Sequence, residues 1–206
     1  MSIIVFGGTG NVGRIMVKKL LKLNYFVKVL TRDSNKIIED NNLKYINGNV
    51  LDYNYVRNII DKEDLIIISL GFNNSSFDTM SKGTQNIITV MLEKDCNRLV
   101  CISAQGAGDS WNYMPDSFKE MVTNDSILSS SFKDHTNQEE VIKKTELNWT
   151  IVRPTEIIDS PETGDYLING FNEKLKYQIS KYDVSQFVVN ELFQCNYLQS
   201  IAMITS

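Results

Sequence analysis

Four glycines within seven residues, Gly7, Gly8, Gly10 and Gly13, follow a short apolar run from Ile3 to Phe6. Behind them Val12, Ile15, Met16, Leu20 and Leu23 recur at helical spacing, with Lys18, Lys19 and Lys22 on the opposite face. Strand, tight glycine turn and amphipathic helix in that order constrain the chain more than any other feature. The first glycines permit a sharp turn at positive φ. Gly10 leaves the backbone open to a diphosphate, and Gly13 lets the helix lie close on the strand. The N–H groups of Asn11, Val12 and Gly13 then open the helix, where its dipole favours an anion. The spacing predicts a dinucleotide site.

Composition narrows the class further. The chain has 206 residues and a formal net charge of −4, with 42% hydrophobic and 22% charged residues. These values suit one globular domain over 1–206 and give no electrostatic footprint for nucleic acid. Three cysteines without C-x-x-C spacing argue against a disulfide framework, and one histidine argues against a His-rich metal site. No apolar run reaches membrane-spanning length and no signal segment is read, so a cytoplasmic location is expected.

Further along, strands alternate with helices. The second strand is expected over Tyr25 to Leu30 and the third over Leu43 to Ile46, followed by a helix from Tyr53 to Ile60 capped by Asp52. Leu65 to Leu70 is apolar throughout but for Ser69, as a strand covered on both faces should be. A helix over Asp78 to Lys94, a fifth strand over Arg98 to Ser103, a helix over Lys133 to Lys144 and a sixth strand ending at Pro154 follow. Residues 109–131 are read as a long irregular segment, functional or mobile, and the substrate pocket is expected from the segments around 103–131 and 154–178. A hairpin over the site is expected within 164–177, then a helix from Asp183 to Phe193 capped by Asp183, and a closing strand from Ser200 to Thr205. The expected fold is α/β, a Rossmann-like doubly wound parallel sheet of about seven strands with helices on both faces.

Cofactor choice falls at the tip of the second strand. An acid there binds a ribose 2′-hydroxyl, whereas an arginine accommodates a 2′-phosphate. The tip carries Thr31 and Arg32 with Ser34 close by, and Asp33 comes one residue after the arginine. NADP(H) is therefore expected over NAD(H). Leu70, Gly71 and Phe72 are placed to let the backbone pass beneath the cofactor.

Taken together, Phe6-Gly-Gly-Thr-Gly-Asn-Val-Gly13, Val29-Leu-Thr-Arg-Asp-Ser34, Gly48-Asn-Val-Leu-Asp52, Met80-Ser-Lys-Gly-Thr-Gln-Asn-Ile-Ile88, Asp134-His135, Leu147-Asn-Trp-Thr-Ile-Val-Arg-Pro154 and Ile179-Ser-Lys-Tyr-Asp183 run through the whole chain. In this set the chain resembles the NmrA-like group of atypical short-chain dehydrogenases/reductases, and within it the flavin/biliverdin-IXβ reductases. The resemblance implies an extended NADPH with its nicotinamide above Ser103, bordered by Pro154 and Thr155. It also implies adenine between Asn49, where the superfamily usually has aspartate, and Val50. A shallow pocket for flat aromatic acceptors is implied too, with Phe72, Trp111 and Met114 as wall candidates. Glu156 stands where these reductases carry a histidine.

Classical members of the superfamily pair Ser with Tyr-x-x-x-Lys for proton transfer. The one literal match, Tyr177 to Lys181, lies beyond the sixth strand and is read as chance. Ser103 and His135 are the candidates for chemistry, while Arg153 is read as scaffold. Hydride transfer to a flavin, bilin or quinone-like acceptor asks mainly for stacking and orientation. Two further readings stand beside it: a non-catalytic NAD(P)-binding sensor, and a sugar-nucleotide epimerase or dehydratase. A small-molecule partner is expected, with monomer and dimer both open.

Overall fold

The computed structural model describes residues 1–32, 40–72, 77–169 and 177–206. In chain order the elements begin β1 (Ile3–Phe6), α1 (Gly13–Lys22), β2 (Val27–Thr31), β3 (Leu43–Asn47), α2 (Tyr53–Ile59) and β4 (Leu65–Ile68). Next come α3 (Thr79–Glu93), β5 (Arg98–Ile102), a 3-10 turn (Gly108–Tyr113), α4 (Asp116–Asn124), α5 (Ser126–Lys143) and β6 (Asn148–Pro154). The chain closes with β7 (Glu156–Ile158), β8 (Leu167–Ile168), β9 (Gln178–Ser180), α6 (Lys181–Gln194) and β10 (Ser200–Thr205).

Eight strands form the main sheet in the order β3-β2-β1-β4-β5-β6-β10-β8. All pairings from β3 to β10 are parallel, and β8 joins the edge antiparallel to β10. Side chains alternate between two buried layers. Ile4, Phe6, Ile66, Ile68, Leu99 and Cys101 face α2, α3 and α5, whereas Ile3, Val5, Ile67, Val100 and Ile102 face α1 and α6. The doubly wound Rossmann-like sheet is thus present, with one strand beyond the seven expected.

Several boundaries differ from expectation for local reasons. β2 begins at Val27 because Tyr25 N still bonds to Leu20 O in the turn that ends α1. Residues 109–131 are largely helical. Asp125 accepts from the N–H groups of Ile127 and Leu128 and so starts α5 seven residues before Lys133. Ser180 caps α6 by accepting from Tyr182 N. Asp183 is buried and accepts instead from Thr163 and Gly164, pinning the 159–165 loop to the helix. Most of the hairpin expected within 164–177 lies outside the described residues, at 170–176; at its margins Leu167–Ile168 pairs with β10, while β9 runs parallel to β7.

One cap crosses the fold. Asp78 precedes α3 without a side-chain capping bond, and Asp134 of α5 accepts from Met80 N at 2.8 Å and Ser81 N at 3.0 Å. An acid from a neighbouring helix thereby satisfies the orphan N–H groups of α3.

Candidate functional site

Strand order reverses between β1 and β4, the point at which open parallel sheets bind ligands beyond their carboxyl ends. Gly7 turns the chain there at φ 86°, and a Cβ on it would lie 2.1 Å from Ser69 O, so the turn passes against the tip of β4. Gly10 has only Gly7 O at 3.2 Å near the place a Cβ would take, leaving its outer side open. No side chain caps the start of α1.

Two cavities meet over this turn. One of about 240 Å³ is bordered by Leu30, Thr31, Arg32, Asn49, Val50 and Phe72. The other, of about 830 Å³, runs past Asn11, Val12, Ser103, Pro154 and Thr155. Both are bordered by Gly10, Ser69, Leu70 and Gly71. They form one groove across the strand tips.

Beyond Ser103 the larger cavity becomes apolar and sulfur-rich. Met114, Phe118, Met121, Leu128 and Phe132 form its wall, with Phe118 and Phe132 edge to face at 5.4 Å. Such a surface suits a flat conjugated ring. Leu128, Phe132, His135 and Glu139 recur at steps of four, three and four along one face of α5, a signal legible in the sequence once the helix is known to begin at Ser126.

Polar groups sit at the inner end. Ser103 is 3% exposed and donates from Oγ to Glu139 Oε1 at 2.7 Å. Glu139 also accepts from Arg153 Nε at 2.8 Å and Nη2 at 2.6 Å. Burial alone would raise the Glu139 carboxyl, but Arg153, Ser103 and Lys143 outweigh it and hold it below the ordinary value. Asp109 pairs with Arg153 Nη2 at 2.7 Å, and that bond holds Asp109 low as well. His135 is pushed down by burial, partly offset by Gln138 and nearby acids, and its Nδ1 is 3.4 Å from Gln138 Oε1.

The groove gathers Gly7, Gly10, Asn11, Val12, Thr31, Arg32, Asn49, Val50, Leu70 and Gly71 along its length. Gly13 stands beneath it rather than in it. Asn49 Oδ1 already accepts from Leu51 N, leaving one lone pair for a ligand. Ser34 lies outside the described residues. Met114, His135 and Glu156 border the larger cavity, Glu156 exposed and bonded to Gln178. Two wall candidates fall elsewhere. Phe72 borders the smaller cavity, because the chain after β4 turns toward β2, and Trp111 backs Phe118 at 6.3 Å without bordering the cavity. Tyr177 borders the cavity, but Lys181 Nζ is held by Asp159 at 2.7 Å. Glu139 and Phe132 are the residues here that sequence reasoning missed, whereas Phe118, Met121 and Leu128 fall within the segment around 103–131 from which a pocket is expected.

These features fit a dinucleotide: an open Gly10, an uncapped helix start, and a buried Gln105 Oε1 at the cavity wall with no partner among the described residues. A family model described as NAD(P)H-binding matches residues 7–194. The chain belongs to that NAD(P)H-binding family. Membership agrees with the resemblance to atypical short-chain dehydrogenases/reductases of the NmrA-like group.

An uncharacterized chloroplastic protein of Arabidopsis thaliana is 25% identical over 207 residues, spanning 93% of this chain and 72% of that one. Among solved structures, ChuY, an anaerobillin reductase of Escherichia coli, superposes with TM-score 0.84 at 17% identity, covering 99% of this chain and 96% of its own. A short-chain dehydrogenase/reductase of Veillonella parvula in complex with NADP gives TM-score 0.80 at 18% identity, covering 100% and 94%. At these identities the structural likeness is one of fold. No helix among the described residues is long and apolar enough to cross a membrane.

Proposed function

We propose that this chain is an NAD(P)H-dependent reductase, one unit over 1–206, that passes hydride to a flat conjugated acceptor such as a flavin, a bilin or a quinone-like ring. What carries the reading is the continuity of the groove: an anion-ready glycine turn at one end, Ser103 at the middle, and an aromatic and methionine wall at the other. When bound, the nicotinamide supplies the hydride. The chain's share is orientation. The Gly10 to Val12 backbone would hold the diphosphate, Thr31 and Arg32 the ribose with its 2′-phosphate, and Asn49 and Val50 the adenine. Pro154, Thr155 and Ser103 would border the reacting ring. Met114 and the Phe118–Phe132 pair would stack the acceptor at near-attack distance.

The test is to mix protein and NADPH with FMN, a linear tetrapyrrole or a quinone and follow the absorbance of the reduced nicotinamide. Turnover above the protein-free rate supports a reductase. Saturable nucleotide binding with no turnover across the panel would turn the reading toward a sensor. One observation favours that second reading: Ser103 is bonded to Glu139 and Lys181 is held by Asp159, so no tyrosine–lysine proton relay faces the groove among the described residues.

A further inference from the structure

The reductase reading gives Glu139 no role, yet it is the most heavily engaged acid at the groove. It is fully buried and accepts Ser103 Oγ on one oxygen, Arg153 on both, and the charge of Lys143 Nζ at 3.2 Å. Gly108 closes over the pair: a Cβ there would meet Arg153 Nη2 at 2.7 Å and Glu139 Oε2 at 2.9 Å. An ionised carboxylate accepts and never donates. A serine hydroxyl carries one proton, and the 2.7 Å bond commits it to Glu139. Only lone pairs of Ser103 Oγ are then left to face the cavity.

Resting on the reading of this groove as a nicotinamide and acceptor site, we propose that Glu139 is a positioning residue that fixes Ser103 as a hydrogen-bond acceptor, so that the site selects ligands carrying an amide-type N–H. That N–H comes either from the nicotinamide carboxamide or from an imide or lactam N–H of the acceptor ring. Ser103 therefore holds a ligand but does not protonate it, and a ring offering only carbonyl oxygens gains nothing from this atom.

Calorimetric titration tests the proposal without turnover. Wild type, Ser103→Ala and Glu139→Gln are titrated with oxidised NADP and with its 3-acetylpyridine analogue, whose methyl ketone accepts but cannot donate. The NADP-loaded protein is then titrated with lumiflavin and with N3-methyl lumiflavin. Wild type should prefer the N–H-bearing member of one pair by roughly three- to tenfold. The pair that responds identifies the source. Ser103→Ala should bring that ratio to about one, since a purely structural change weakens both members alike. Glu139→Gln can donate its own amide to Ser103 and free the serine proton, so the ratio should fall to one or invert. If Glu139→Gln does not fold, the serine variant decides alone. Ratios within about twofold for both pairs in wild type, or a preference that survives Ser103→Ala, would overturn the proposal. If neither nucleotide binds at all, the cofactor reading beneath it falls as well.

Discussion

Gly13 packs so tightly on the glycine turn that a Cβ would lie 2.2 Å from Gly7 O and 2.9 Å from the Gly8 Cα. Both neighbours are backbone, so neither can swing aside. Gly13→Ala should push α1 away from β1, lower stability by about 1–3 kcal/mol and weaken NADP(H) binding roughly tenfold or more. Urea denaturation and nucleotide titration check the two effects. An alanine variant with unchanged affinity would remove the diphosphate from this turn.

Asp134→Ala should leave the N–H groups of Met80 and Ser81 without their carboxylate at the start of α3. The expected loss is about 1–2 kcal/mol, read from the urea midpoint, with Asp134→Asn recovering part of it.

Glu139→Ala removes one partner of a buried pair and strands Arg153 with Asp109 alone, which should lower stability by about 3 kcal/mol or more. The same group shapes the acid limb. Its folded pKa lies below the ordinary 4.5, so the unfolded chain binds the proton more readily. Its stabilisation is in force above 4.5 and fades as pH falls through the lower folded value. The urea midpoint of Glu139→Gln should accordingly vary less with pH below 4.5 than that of wild type.

His135 acts in a higher window. Burial lowers its folded pKa below 6.5, so protonation favours the unfolded chain and stability falls as pH drops beneath that value. His135→Gln should flatten the stability profile just below pH 6.5, above the range where Glu139 titrates. Equal slopes in variant and wild type would show that the imidazole does not respond to its burial.

Arg32 borders the smaller cavity with its side chain exposed. Arg32→Ala should weaken NADPH by roughly tenfold or more through loss of a charge-assisted contact, and leave NADH nearly unchanged. Equal losses for both nucleotides would remove the arginine from cofactor choice.

The continuous apolar strands, the glycine turn and its helix were legible because they rest on local rules: apolar runs for strands covered on both faces, period 3.6 for the helix and the freedom of glycine at φ 86°. Those rules determined a doubly wound sheet and set the expected nucleotide site at its β1 tip before any contact was known. The acceptor wall was not legible to the same degree. Its first residues stand in 109–131, where polar side chains mask the helical stripe, and the cap at Asp125 that starts α5 was overlooked. What only the tertiary structure decided is which buried charges meet. Ser103 and Glu139 are 36 residues apart and Asp134 caps a helix 54 residues upstream, and no local pattern encodes such pairs. They form because a charge taken out of water must find a partner, and that partner is whichever group the packed sheet and helices bring within reach.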